Sequence, residues 1–291
     1  MVKSNLKEQK VIKKADLKVV DNNAVKTTAY SDINLKKWRE YDHIKTDTLW
    51  EFPNRLKEGG HSNEYHGNYI PQIAQQIYER YTKKNDIVLD LFFGSGTSGI
   101  EAINMGRRCI GVELKDELAE SVSEKFTPKH LVTDVNIICA DSASEIAKEK
   151  IKARLDIMGA KKAQLLMLHP PYDDIIKFSD KKEDLSNCAT TEEFYDLFEK
   201  VAKNGYDLLE KGRFACLIIG DKYANSQHIP LGFECMARMN KLGFITKAII
   251  IKDMQGNERA KGKTANLWRY RALAGGFYIF KHEYVMVFQK V

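Results

Sequence analysis

The chain has 291 residues, 43% hydrophobic and 30% charged, a composition that fits a folded globular protein and excludes a disordered or fibrous one. No apolar run approaches the roughly 18 to 20 residues of a membrane span. The opening Met1-Val2-Lys3-Ser4-Asn5 leads into alternating charge rather than an apolar signal core, so no membrane segment or secretion signal is expected and a cytoplasmic location follows. The net charge of +6 hides a segregation: residues 1–65 carry net +3 and residues 66–221 net -5, whereas residues 222–291 hold 12 Lys/Arg against 4 Asp/Glu, net +8. A basic final quarter on a slightly acidic body points to a surface that meets a polyanion, with a merely solvated basic face as the alternative.

Residues 1–47 show no sustained period and read as an arm. Residues 48–69 read as a loop carrying large aromatics such as Trp50 and Phe52. Pro71 suits a first helical turn, and Ile73, Ala74, Ile77 and Tyr78 follow at helical spacing. From Asp86 short apolar runs alternate with amphipathic stretches. The predicted strands are 87–91, 109–113, 135–139, 164–168 and 214–219, and the predicted helices 98–104, 115–124, 143–152, 191–209 and 230–242. This order predicts an α/β fold with a mostly parallel sheet, right-handed crossovers and ligands beyond the carboxyl ends of the strands. Two further strands, 244–252 and 282–288, are joined by a polar, basic stretch without a helical period, which predicts an antiparallel C-terminal strand. Five cysteines lack any CxxC pair, so free thiols and no metal site are expected.

Asp90-Leu91-Phe92-Phe93-Gly94-Ser95-Gly96-Thr97-Ser98-Gly99 follows the first of the alternating strands and opens a helix. Its glycines allow a sharp turn and close ligand approach. The next strand ends in Glu113, placed to accept from ribose hydroxyls. A dinucleotide enzyme and a nucleoside-binding enzyme both fit this much. Asp90 beside the ligand would repel phosphate and suit a cation. Asp141, after the third strand, is placed to reach a purine amine, or else to cap the next helix.

The fourth strand ends in His169-Pro170-Pro171-Tyr172. Two prolines remove two N–H donors and leave carbonyls that only accept. With an acceptor side chain before them and an aromatic ring after, they form a cup for an amino group on a planar base.

These segments resemble the S-adenosylmethionine-dependent methyltransferases, and the tetrad is similar to the Asp/Asn/Ser-Pro-Pro-Tyr motif of DNA N6-adenine and N4-cytosine methyltransferases. The resemblance runs from about Thr48 to Val291 and implies a Rossmann-like methyltransferase fold with S-adenosylmethionine as cofactor. It assigns His66, Tyr69 and Pro71 to the methionine end of the cofactor and Asp90, Phe92, Phe93, Gly94, Gly96 and Thr97 to its loop. Glu113 falls on the ribose, Asp141 and Ser142 on the adenine, and His169, Pro170, Pro171 and Tyr172 on catalysis. His169 departs from the family pattern, so the tetrad does not name the base: adenine N6 ranks ahead of cytosine N4 on family frequency alone.

In the mechanism the resemblance implies, a flipped base presents its amine to the Pro170 carbonyl and His169 while Tyr172 stacks on the ring. Imidazole accepts only when a nitrogen is unprotonated, so activity is expected to fall as pH drops through about 6.5. Arg259, Lys261, Lys263, Trp268, Arg269 and Arg271, in a basic insertion at about 253–275, are the candidate DNA-binding residues. The expected partners are duplex DNA and a cognate restriction endonuclease. An RNA or protein amide methyltransferase, or a nucleic-acid-binding module that retains the cofactor pocket without turnover, are the competing readings.

Overall fold

The computed structural model describes residues 27–61, 65, 67–126, 134–254 and 265–291. The elements, in chain order, are β1 (Leu49–Trp50), α1 (Pro71–Tyr81), β2 (Ile87–Asp90), α2 (Thr97–Asn104), β3 (Arg108–Glu113), α3 (Asp116–Phe126), β4 (Val135–Cys139), α4 (Glu145–Ile157) and β5 (Ala163–Leu168). There follow α5 (Thr191–Leu208), β6 (Leu209–Ile219), β7 (Lys222–Ala224), β8 (Gln227–Ile229), α6 (Leu231–Lys241), β9 (Phe244–Asp253), α7 (Ala265–Gly275) and β10 (His282–Lys290).

Eight strands form one sheet in the order β1-β9-β10-β6-β5-β2-β3-β4. The β6-β5-β2-β3-β4 half is parallel, and β10 runs antiparallel to both β6 and β9. Alternation along each strand divides its side chains between two cores, as the pleat requires. Ile87 and Leu89 join a core shared with α4, α5 and α6, while Val88 joins one shared with α1, α2 and α3. In β6, Ala215, Leu217 and Ile219 face the first core and Phe214, Cys216 and Ile218 the second. This two-sided burial explains why the strands read as near-continuous apolar runs.

The α/β alternation predicted from sequence is found with boundaries close to those expected, and the antiparallel last strand is present. Three features differ. Residues 49–50, read as loop, add a short parallel edge strand to β9, because Trp50 is buried there and brings its backbone into register with Lys252. The β7/β8 hairpin, closed by Asn225 and Ser226 at positive φ, is too short for period-2 alternation to register. Third, part of the basic stretch is helical. From Leu267 onward α7 contributes no buried residue, so its sequence carries no apolar stripe for periodicity to detect.

Residues 27–47 lie over α1: the Lys45 amide donates to Gln76 Oε1 (2.7 Å), the Gln76 amide to the His43 carbonyl (2.9 Å) and Arg80 to the Lys45 carbonyl (3.1 Å). None of the helices of the described residues is long and apolar enough to cross a membrane.

Candidate active site

The carboxyl ends of β2, β3 and β5 open into one cavity of about 290 Å³. Beside β2 the chain proceeds to β3 on one flank, while β5 pairs on the other. Loops leave in opposite directions there, which is where such sheets hold ligands.

The glycine loop follows from its backbone. Gly94 and Gly96 adopt φ of +52° and +91°, values that a Cβ disfavours. A Cβ on Gly94 would also approach the Tyr65 ring to 3.3 Å, tighter than ordinary van der Waals contact. Glu113, at the end of β3, accepts from the Gly94 amide at Oε2 and the Lys115 amide at Oε1, both at 2.9 Å. Burial nevertheless pushes its carboxyl above the usual range. Each carboxylate oxygen keeps a lone pair for a ligand hydroxyl.

Twelve of the residues singled out from sequence meet at this cavity: Tyr69, Phe92, Phe93, Gly94, Thr97, Glu113, Asp141, Ser142 and the His169-Pro170-Pro171-Tyr172 turn. Asp141 does not cap α4: Ser144 does, accepting from the Ala147 amide, and Asp141 Oδ1 accepts from the Ala143 amide at 2.8 Å. Gly96 is the N-cap of α2, and Pro71 is the buried first residue of α1. Neither lines the cavity. His66, Arg259, Lys261 and Lys263 lie outside the described residues. Trp268, Arg269 and Arg271 sit exposed on α7, with the Arg271 guanidinium 5.4 Å from the Trp268 ring centroid.

Asp90 corrects the sequence reading. Its carboxylate does not line the cavity: it is buried behind the loop, accepting from Ser98 Oγ and from the Phe92 amide (2.9 Å). Burial outweighs these two bonds and pushes its pKa up to about 6. The unfolded chain ionises near 3.9, so folding meets a penalty that grows from about pH 4 to pH 6 and is constant above it. Asp90→Asn is therefore expected to stabilise the protein by up to about 3 kcal/mol at pH 8 and by little at pH 4. Urea unfolding at the two pH values checks this, and an equal change at both would refute it.

The sequence reading missed Lys252 and Glu283, which reach the cavity from β9 and β10. Lys252 Nζ lies 3.0 Å from Glu283 Oε1, and both residues are buried. Glu283 Oε2 accepts from the Tyr172 hydroxyl at 2.8 Å, and the Tyr172 oxygen lies 3.3 Å from His169 Nε2. A lone acidic residue entering the apolar run Tyr284–Phe288 was the available signal. Only strand pairing shows that Lys252 stands beside it, opposite Glu283 in the β9/β10 register.

The pH behaviour expected of His169 is also corrected. Burial is the largest influence and pushes its pKa down to about 4, with Lys252 and Arg55 acting in the same direction and Glu283 opposing them. The ring is thus neutral, and competent to accept a hydrogen bond, throughout pH 5.5 to 8.

The donor and acceptor set fits S-adenosylmethionine. Glu113 offers carboxylate lone pairs to ribose hydroxyls, Asp141 an acceptor for an exocyclic amine, and Tyr69, Phe92 and Phe178 aromatic walls. Glu113, Asp141 and Ser142 would hold the nucleoside.

Sheet order and cavity together define a Rossmann-like α/β protein of the methyltransferase type. Residues 3–124 and 163–291 match the N6/N4 DNA methylase family, and the chain belongs to that family. It is 34% identical over 100 residues to a probable type III restriction-modification enzyme HindVI Mod subunit of Haemophilus influenzae, a match covering 33% of this chain and 13% of that protein. It is 31% identical over 84 residues to the type II methyltransferase M.MjaII of Methanocaldococcus jannaschii, covering 27% and 16%. With the type II methyltransferase M2.LlaDCHI of Lactococcus lactis subsp. cremoris it shares 40% identity over 69 residues, covering 22% and 26%. The matched stretches thus span about a quarter or less of these relatives.

Proposed function

We propose that the protein methylates an exocyclic amine of a base in duplex DNA, adenine N6 ahead of cytosine N4, with S-adenosylmethionine as methyl donor. The observation that carries this is the Pro-Pro turn opening into the same cavity as Glu113 and the glycine loop. S-adenosylmethionine, when bound, supplies an electrophilic methyl group on a sulfonium.

An exocyclic amine is a weak nucleophile because its lone pair is delocalised into the ring. The Pro170 carbonyl and one nitrogen of His169 accept its two N–H bonds, drawing the nitrogen towards tetrahedral geometry and exposing its lone pair. Tyr172 holds the extruded ring by stacking. Positioning and fixed dipoles supply the rate, with no strong general base: the nitrogen that gains the methyl group becomes cationic and strongly acidic, and sheds its extra proton to water after transfer. A neutral His169 suits this: it accepts a hydrogen bond without taking up a full proton at working pH.

We assign residues 48–291 to the catalytic domain and residues 1–47 to an arm, and the exposed cations and Trp268 of α7 to DNA binding. Five free cysteines suit a reducing cytoplasm. The restriction-modification relatives make a cognate endonuclease the candidate partner.

Incubating duplex DNA with protein and cofactor, followed by nucleoside mass analysis, tests the activity. N6-methyladenosine or N4-methylcytidine as the deoxynucleoside supports it. Label entering RNA or protein while DNA stays unmodified would overturn it. For α7, Arg269→Ala and Arg271→Ala are each expected to lower the slope of log affinity against log salt by about 1. Unchanged slopes would remove α7 from the phosphate contacts.

A further inference from the structure

We propose that Glu283, held ionised by Lys252 and acting through Tyr172, sets the tautomer of His169, so that Nε2 carries the proton and Nδ1 is the acceptor offered to the target amine. The final step, the amine, rests on the methyl-transfer reading above; the tautomer does not.

A carboxylate, amide or hydroxyl before the two prolines accepts a hydrogen bond through any of its oxygen lone pairs. Imidazole does not: one nitrogen donates, the other accepts, and its partners decide which. In this chain the decision propagates from a charge. The Glu283 carboxylate only accepts, so at 2.8 Å the Tyr172 hydroxyl must spend its single proton on Oε2. The Tyr172 oxygen then faces His169 with lone pairs alone. At 3.3 Å from that oxygen, Nε2 makes a hydrogen bond only if it bears hydrogen. The ring has one proton when neutral, so Nδ1 is left with its lone pair, and among the described residues nothing donates to it.

Two further contacts fix the ring that carries this lone pair. Tyr69 meets it edge to face at a centroid distance of 5.3 Å and Tyr172 does so at 5.8 Å. Tyr172 is itself seated closely: a Cβ on Gly220 would come within 2.9 Å of its ring. Lys252 and Glu283 lie on neighbouring strands, in direct register, so the start of the relay is built into the sheet rather than into a loop. Lys252 and Glu283 are positioning residues in this scheme.

The ring nitrogens report the tautomer directly by ¹⁵N NMR of histidine-labelled protein, with no variant required. The expected spectrum at pH 7 shows His169 with a protonated Nε2 and an unprotonated Nδ1. Tyr172→Phe removes the relay and is expected to mix the tautomers. Glu283→Gln places an NH₂ donor beside the Tyr172 oxygen, frees the hydroxyl to donate to Nε2, and is expected to move the proton towards Nδ1. Methyl transfer should fall about 10- to 100-fold in Glu283→Gln, the effect typical of losing a group that orients a functional histidine, with cofactor affinity held. Movement of the nitrogen shifts in either variant supports the proposal. A wild-type ring protonated on Nδ1, or shifts unmoved in both variants, overturns it. A relay that behaves as expected in a protein without methyl transfer would support the tautomer and overturn the reaction assigned above.

Discussion

His169→Ala is expected to lower the single-turnover rate of methyl transfer by about 10²- to 10³-fold, the usual loss on removing one preorganised hydrogen-bonding group from a reacting centre. Cofactor affinity should change little, because the groups assigned to the nucleoside, Glu113, Asp141 and Ser142, belong to other strand ends. His169→Asn restores an oxygen acceptor and should recover part of the rate. The pH profile separates the two enzymes further. Burial among Tyr69, Tyr172, Arg55, Lys252 and Glu283 leaves His169 with a pKa of about 4. The neutral, accepting form therefore exists above that value, and the wild-type rate should be flat with respect to this group from pH 5.5 to 8 and fall as pH drops through about 4. His169→Asn should lack that acid limb. Single-turnover rates with the folded fraction followed by circular dichroism provide the check. A wild-type limb near pH 6.5 would refute the lowered basicity of His169, and full activity in His169→Ala would refute its role.

The second large effect concerns stability. Lys252→Met is expected to destabilise the protein by about 3–5 kcal/mol, because it leaves the Glu283 carboxylate buried without its counter-charge. Both residues are buried and the ion pair is 3.0 Å long. Glu283 is held below the usual carboxylate range despite a burial cost that acts the other way, with Lys252 the largest of the opposing influences. Replacing both members, Lys252→Met with Glu283→Leu, should recover most of the lost stability, since an apolar pair removes both desolvation costs together. It should not recover activity, because the Tyr172 hydroxyl loses its carboxylate acceptor and is then free to donate to His169 Nε2. Lys252→Met alone also removes a positive charge that lowers the His169 pKa and keeps the negative one that raises it, so the acid limb should move upward. Urea unfolding of the three variants tests the energetic claim. A Lys252→Met protein within 1 kcal/mol of wild type would show the pair to be dispensable for folding.

How far the sequence reaches differs from one part of the molecule to another. Strands such as Val135–Cys139 and the loop from Phe92 to Thr97 were legible because their signals are local: an apolar run bounded by turns, or glycines where φ must be positive. The Pro170-Pro171 pair was legible for the same reason. The position of Asp90 was not. A carboxylate preceding a glycine loop reads as a ligand contact, and only packing of α2 against β2 shows that Ser98 has claimed it. Helix α7 escaped detection because, from Leu267 onward, it buries no residue and so has no periodic stripe.

The amino-acid sequence alone determined the main alternation of strands and helices, the glycine loop, the acid Glu113 and the Pro-Pro turn, because each is written within a span of a few residues. Tertiary structure decided the rest: which residues surround His169, how far its basicity falls, that Glu283 meets Tyr172 across 111 residues of chain and that Lys252 pairs with Glu283. Backbone propensity and turn chemistry act between neighbours in sequence. Desolvation and charge pairing depend on what folding brings together in space, and those are the forces that set the chemistry of this site.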